Sequence, residues 1–146
     1  MQNFTTILRN DLIHDKQIYL PAGKATLTLI DVCDIGAVAT CILANISSPI
    51  NKSYELTYKE KLTFSEMAEK PSSNLGIDIQ FKSPNLVSFF LKKKMPTMLI
   101  LVMIMLHYFI GFEKEPEITK WVKKKTNRQA TTFKQFINDN RKLLIK

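Results

Sequence analysis

The clearest pattern along the chain is a change of hydrophobic period near residue 31. Residues 26–32 contain β-branched side chains at alternate positions, which is typical of a strand. Asp31 and Asp34 stand at the changeover, where carboxylates can cap the free N–H groups of a helix start. A strand that leads into a helix through a short acidic turn is typical of an α/β fold. The apolar positions that then recur at helical spacing are Ile35, Val38, Ala39, Ile42, Leu43 and Ile46.

A second helix is signalled by a capping box. Thr63 and Glu66 are three residues apart, so each side chain can bond the other's backbone N–H, and the helix is expected to begin at Phe64. We expect Pro71 to stop or kink this helix early, because proline lacks the N–H donor and clashes with the preceding turn.

Shorter elements surround these two helices. Ser83 and Pro84 have the residue types of a cap and first position for a helix through Lys94. Pro116 is expected to open a further helix that turns Ile118, Trp121 and Val122 toward the core. Short β-prone pieces are predicted at 17–20, 53–57 and 77–81.

A final helix is predicted after Thr132. Thr132 and Gln135 have the spacing of another capping box. The apolar stripe of this helix is expected to consist of Phe133, Phe136, Ile137 and Leu144.

The uncharged stretch 95–112 permits two interpretations. Its 18 residues would form a helix of about 27 Å, slightly shorter than a bilayer core of about 30 Å. A single membrane span with a basic flank is therefore one alternative. Pro96 in the first turn, together with His107 and Gly111, favours a buried helix of a soluble domain instead.

Charge and cysteine content limit the function classes. Residues 1–73 contain 7 basic and 8 acidic residues, whereas residues 74–146 contain 14 basic and 5 acidic residues. A basic half can attract anions, but no nucleic-acid motif is present and no nucleic-acid partner is expected. Cys33 and Cys41 are too far apart on one helix to form a disulfide, which suits a reducing cytoplasm.

No catalytic or metal-binding motif is visible. The chain has no Cys/His cluster with zinc spacing, no Gly-x-Ser-x-Gly turn and no Tyr-x-x-x-Lys pair. His14 and His107 have no partner in the sequence pattern and are interpreted as structural. We therefore predict no catalytic residue, no metal ligand and no cofactor-binding residue.

Several segments together resemble NmrA-like proteins, which are atypical short-chain dehydrogenase/reductases. Residues 31–39 resemble the family's Asp-Val-x-Asp-Ile-Ala-x-Val-Ala segment, and residues 20–23 its preceding turn. Residues 54–57 and 62–68 are similar to its Tyr-x-Leu-Thr-Gly strand and capped helix. Residues 126–136 resemble its closing Thr-Gly-Arg-x-Pro-x-Thr-Phe-x-x-Phe segment. Tyr58, Asn127 and Ala130 replace the usual Gly, Gly and Pro.

The resemblance implies a single incomplete domain over residues 1–146. Its fold would be α/β and helix-rich, the C-terminal, substrate-side part of a Rossmann-type NAD(P)-binding fold without the N-terminal nucleotide-binding half. NADPH or NADH is the cofactor that the family implies. Because the Gly-x-x-Gly-x-x-Gly loop is missing, we do not expect this chain to bind it alone. Asn3 and Phe4 are carried over from the family as substrate-pocket candidates.

The resemblance also implies a function. The family contains NAD(P)H-dependent reductases of quinone or azo compounds and regulators that sense the NAD(P) redox state. We expect a truncated, cytoplasmic member that is inactive alone, and whose partner is a missing nucleotide-binding half or a second copy. The alternative is a small single-pass membrane protein anchored by residues 95–112.

Overall fold

Two pairs of short strands form the β-structure. β1 (Gln17–Tyr19) pairs in parallel with β4 (Gln80–Lys82), so that Ile18 lies beside Phe81. β2 (Thr26–Thr28) pairs antiparallel with β3 (Lys61–Thr63). The strand predicted at 77–81 is thus displaced to Gln80–Lys82, because pairing with β1 sets its bounds. The strand predicted at 53–57 is absent, since residues 52–57 are not part of either sheet.

The computed structural model describes residues 1–44, 52–57, 60–92, 96–110 and 117–145, without the side chains of residues 106–110. Expectations for Ile46, Tyr58, Lys94 and Pro116 lie outside these ranges. After a short 3₁₀ turn at Gln2–Phe4, the helices are α1 (Arg9–His14), α2 (Val32–Ala44), α3 (Phe64–Leu75), α4 (Leu86–Lys92), α5 (Thr97–Ile110), α6 (Trp121–Thr126), α7 (Phe133–Asp139) and α8 (Arg141–Leu144).

The hydrophobic core lies around β1 and α3. The strand is buried along its whole length, and both α1 and α3 pack against it. α3 also packs against α7, so strand and helices form layers around one core, as an α/β fold requires. Central side chains of this core are Leu12, Ile18, Leu20, Met67, Phe133, Phe136 and Ile137.

The capping box of α3 is confirmed, but Pro71 does not stop the helix early as expected. Thr63 Oγ1 accepts a hydrogen bond from the N–H of Glu66 at 3.2 Å, and Glu66 Oε2 accepts one from the N–H of Thr63 at 2.7 Å. α3 continues through Pro71 to Leu75. A proline inside a helix costs about 3 kcal/mol. Each large apolar side chain that α3 buries contributes about 1.5–3 kcal/mol, so the buried face as a whole outweighs the proline.

The orientation of α2 also differs from the prediction. Val38 is buried as expected, but Ile35 and Leu43 are exposed. The helix packs against α6 with the side that carries Asp34 and Val38. The helix is therefore turned by the contacts of a carboxylate rather than by its largest apolar side chains.

Asp34 joins α2 to the segment that precedes α7. Its side chain is fully buried, and Oδ2 accepts a hydrogen bond from the N–H of Thr131 at 2.7 Å. Arg128 Nη2 lies 3.0 Å from Oδ1, an ion-pair contact that is not also a hydrogen bond. Buried charge is tolerated only when it is paired in this way. The prediction that Asp34 caps α2 is therefore wrong.

The C-terminal helices confirm one prediction and correct another. All four residues of the predicted final stripe are buried, although Asn140 divides the helix into α7 and α8. Thr132 Oγ1 caps α7 through the N–H of Gln135 at 3.0 Å. α6 begins only at Trp121, and Ile118 is exposed. Residues 117–120 are not helical because this segment is hydrogen-bonded to residues 55–57 instead.

Helix α5 occupies the described part of the uncharged stretch. Its 14 residues extend about 21 Å, and Ile100 and Met103 contribute to the common core. Within the described residues, no helix combines the length and the apolar character needed to cross a bilayer.

The capping box gives the first prediction. Thr63→Ala should lower the free energy of unfolding by about 1 kcal/mol, measured by urea denaturation, because the N–H of Glu66 loses its acceptor. Thr63→Ser keeps the hydroxyl and should retain most of that stability. An equal loss in both variants would contradict the role of the hydroxyl.

The same box makes stability depend on pH. The hydrogen bonds from the backbone and side chain of Thr63 lower the pKa of Glu66 below its ordinary value of 4.5. The contribution of Glu66 is therefore complete above pH 4.5 and is lost as pH falls through the folded-state pKa. Glu66→Gln should destabilise the protein at neutral pH and progressively less in acid.

The buried carboxylate gives a further prediction. Asp34→Ala should cost about 2–3 kcal/mol of unfolding free energy, because the Thr131 N–H loses a charged acceptor. Asp139→Ala is the matched control, since it makes the same chemical change at an exposed position and should cost at most about 0.5 kcal/mol. Similar losses in the two variants would show that Asp34 does not hold the segment around Thr131.

Candidate functional site

The carboxyl ends of β1 and β4 meet at one edge, which is where open α/β sheets place ligand sites. The N–H of Gly23, in the turn after β1, donates a hydrogen bond to Ser83 Oγ at 2.9 Å, just beyond β4. Gly23 has φ +55°, a left-handed conformation that favours glycine. Ser83 therefore holds this edge together instead of capping α4, where Asn85 Oδ1 accepts from the N–H of Ser88 at 2.8 Å.

Tyr19, the last residue of β1, brings α4 over the same edge. Its ring stacks on Phe89 with centroids 5.9 Å apart, and its hydroxyl lies 3.5 Å from the carbonyl oxygen of Ser88. Lys92 Nζ lies 4.5 Å from the centre of the ring. The ammonium thus lies over the ring, and this tyrosine and lysine help to fix α4 in place. Sequence analysis missed the pair because no spacing links residues so far apart.

The predicted pocket residues Asn3 and Phe4 have different surroundings. Both belong to the 3₁₀ turn, but Asn3 is exposed while Phe4 is buried with its ring edge-on to Phe133, centroids 4.9 Å apart. Only Asn3 therefore offers a polar side chain to the surface. That these two residues line a substrate pocket stays a prediction.

The acidic turn fixes the start of α2. Asp31 Oδ1 accepts a hydrogen bond from the N–H of Cys33 at 2.7 Å, so the predicted capping by Asp31 is confirmed. Gln2 Nε2 donates to Asp31 Oδ2 at 3.2 Å, and Gln2 Oε1 accepts from the N–H of Val32 at 3.2 Å. Through Gln2, the N-terminal turn is attached directly to the turn that carries Asp31.

Cys33 is exposed beside this carboxylate. The hydrogen bond to Asp31 and the negative charge of Asp31 raise the pKa of the Cys33 thiol above its ordinary value. Because the thiolate is the reactive form, this environment disfavours a nucleophilic role.

A cavity of about 280 Å³ lies between residue 57 and the start of α6. Thr57 Oγ1 accepts a hydrogen bond from the N–H of Thr119 at 2.7 Å, and Thr119 Oγ1 donates to the carbonyl oxygen of Glu55 at 2.7 Å. The threonine hydroxyls are thus engaged within the protein, and Lys120 and Lys123 supply the charge of the lining. The cavity can attract a small anion but contains no acid–base pair. Its lining residues are Thr57, Ile118, Thr119, Lys120, Val122, Lys123, Gln129 and Ala130.

The described residues contain no candidate metal-binding site. No three His, Cys, Asp or Glu side chains among these residues lie close enough together to hold a metal ion. His14 is exposed at the end of α1, and the side chain of His107 lies outside the described part of the chain.

The environment of Cys33 yields a prediction. In a Cys41→Ser background, the pH profile of iodoacetamide alkylation should have its midpoint above 9.0, the ordinary thiol value. Asp31→Asn should move the midpoint down and speed alkylation near neutral pH, because the carboxylate charge is removed. Asparagine still caps the helix, so the variant removes the carboxylate beside the thiol without removing the cap. A profile unchanged by Asp31→Asn would contradict this role of the carboxylate.

Comparison with known proteins finds similarity in structure only. No family model and no curated protein sequence matches the chain. An NADPH-dependent quinone oxidoreductase from Escherichia coli superposes with a TM-score of 0.80 and 14% identity, over 94% of this chain and 50% of that one. Triphenylmethane reductase from Citrobacter sp. superposes with a TM-score of 0.76 and 16% identity, over 88% of this chain and 45% of that one. A nucleoside-diphosphate-sugar epimerase from Staphylococcus aureus superposes with a TM-score of 0.76 and 19% identity, over 92% of this chain and 46% of that one.

Identities this low show the fold alone. Structures of the quinone oxidoreductase and the triphenylmethane reductase have been determined with NADPH and NADP(H), respectively. This chain spans about half the length of each of these proteins. The predicted fold class, a helix-rich α/β part of a Rossmann-type fold, is confirmed.

Proposed function

We propose that residues 1–146 form the substrate-side half of an NmrA-like, NAD(P)H-dependent oxidoreductase that reduces quinone or azo compounds. On this proposal the chain is inactive until a nucleotide-binding half joins it, either on the same polypeptide or as a separate chain. The fold likeness to two NADPH- or NADP(H)-binding reductases, each about twice this length, supports the proposal. A cytoplasmic location belongs to the same proposal.

The main support for a missing nucleotide-binding half is the unpaired edge of β1. Within the described residues, β1 has a strand on one side only, although the strand is buried on both faces. Lys16 and Leu20 hydrogen-bond to the β4 side. Because strand residues alternate, the backbone of Gln17 faces the opposite edge. Buried parallel strands normally belong to larger sheets, so a nucleotide-binding half that adds a strand here would complete the sheet.

The residues that the structure describes do not form a dinucleotide site by themselves. A pyrophosphate needs a glycine-rich turn between a strand and a helix N-terminus. The described glycines lie elsewhere: Gly23 in a turn between strands, Gly36 inside α2, and Gly76 at the C-terminus of α3. Cofactor binding is therefore assigned to the other half. This half would supply the substrate side, with Asn3 and Phe4 as the pocket residues to examine.

A thermal melt with NADPH tests the proposal. NADPH should leave the melting temperature of this chain unchanged. A chimera in which the nucleotide-binding half of the Escherichia coli quinone oxidoreductase precedes residue 1 should gain about 2.7 kcal/mol at a hundredfold excess over the dissociation constant, or about 5 °C or more.

Two results would overturn the proposal. An upward shift for this chain alone would mean that it has its own nucleotide site. A chimera that melts cooperatively but neither responds to NADPH nor reduces a quinone would mean that this half does not complete such an enzyme. The separate nucleotide-binding half is the control for cofactor binding without residues 1–146.

A further inference from the structure

Helix α4 is apolar on the side that faces away from the protein. Phe89 is completely buried against Tyr19, whereas Val87 is 69% exposed and Leu91 is 78% exposed. Leu86 and Phe90, one turn apart, are also exposed on that outer side. An ordinary surface helix would place polar residues at these positions.

Helix α5 repeats this arrangement. Ile100 and Met103 reach the same core as Phe89. Met98, Leu101, Val102 and Met105 are exposed at the spacing of a single helix face, on the side opposite the buried residues. A helix that is apolar all round is normally covered on both sides.

The sequence segment that contains these two helices has charged side chains of positive sign only. Residues 79–112 contain four lysines and no Asp or Glu. Lys82 and Lys92 are exposed before and at the end of α4. Helices with large apolar side chains on one side and lysines nearby are typical of segments that lie in a bilayer interface. Anionic lipid headgroups supply the negative charge that this segment lacks.

We propose that the outer faces of α4 and α5 bind the surface of an anionic lipid bilayer. The apolar side chains enter the interface between headgroups and acyl chains, and the lysines contact the negatively charged headgroups. The attachment is peripheral and leaves the core contacts of both helices in place.

Charge favours a lipid surface over a second copy of the chain. In a twofold dimer the same surface lies on both sides of the interface. Lys82 and Lys92 of both copies would then lie at one interface, and like charges across an interface weaken association. A bilayer offers the complementary sign.

Helix α2 provides a matched control surface. Leu43 is 83% exposed, as open as Leu91, and belongs to an exposed apolar stripe with Val32 and Ile35. Residues 25–51 contain two aspartates and no lysine or arginine. Helix α2 itself is apolar and contains no basic residue, so its exposed apolar stripe should not bind anionic lipid.

Vesicle co-sedimentation of the full chain tests the proposal. The protein should pellet with phosphatidylcholine vesicles that contain phosphatidylserine, and much less with phosphatidylcholine alone. Leu91→Glu and Met98→Glu should each lower the partition constant about tenfold or more, because a buried apolar side chain is lost and a repelled charge is added. Leu43→Glu should leave it unchanged. Raising the salt from about 0.1 M to about 1 M should weaken binding by screening the lysines.

Several outcomes would overturn it. These are an absence of sedimentation with anionic vesicles, equal sedimentation with neutral vesicles, and an equal loss in Leu43→Glu. An oligomer seen by light scattering that Leu91→Glu dissociates, without vesicle binding by the original chain, would assign the surface to a second copy. All substituted positions are exposed, and a thermal melt of each variant checks that its fold is retained.

Discussion

Burial of β1 is the constraint on which the other elements depend. Ile18 at its centre is completely buried, with α1 and α3 packed against the strand. Its parallel pairing with Gln80–Lys82 fixes the end of the turn after α3, and Tyr19 positions α4 through Phe89. A three-residue strand supplies little hydrogen-bond energy by itself. The apolar side chains around it provide the driving force, since burial of apolar surface is the dominant favourable term in folding.

A second constraint is the charge of Asp34. A carboxylate without solvent contact must have partners, and the partners here come from the segment before α7. This requirement joins α2 to residues 128–131 and selects the side of α2 that faces α6. The consequence is an outward stripe of apolar residues on α2, which a purely hydrophobic packing of the helix would have buried.

The described part of the chain thus has more apolar surface than its own core can cover. One uncovered surface is the edge of β1, which has a neighbouring strand on one side only. Others are the outer faces of α4 and α5, with eight exposed large apolar side chains. The two differ in kind, because a strand edge needs backbone hydrogen bonds while an apolar helix face needs only a nonpolar environment. A nucleotide-binding half suits the first and a lipid interface suits the second, so the two proposals do not compete for the same surface.

The sequence by itself determined those features that depend on residues close together in the chain. Thr63 with Glu66, and Thr132 with Gln135, form caps because their partners are three residues away. Asp31 likewise caps α2 through the N–H of Cys33, only two residues away. The α/β class followed from the change of period near residue 31. The stripe of Phe133, Phe136, Ile137 and Leu144 followed from helical spacing.

Only the tertiary structure decided features that depend on distant partners. The passage of α3 through Pro71, the rotation of α2, and the late start of α6 at Trp121 are set by packing and by hydrogen bonds to residues far away in sequence. Tyr19 with Phe89, and Gly23 with Ser83, meet only because β1 and β4 lie side by side. Local spacing contains no information about such pairs, since their energy is gained only after the chain has folded around β1.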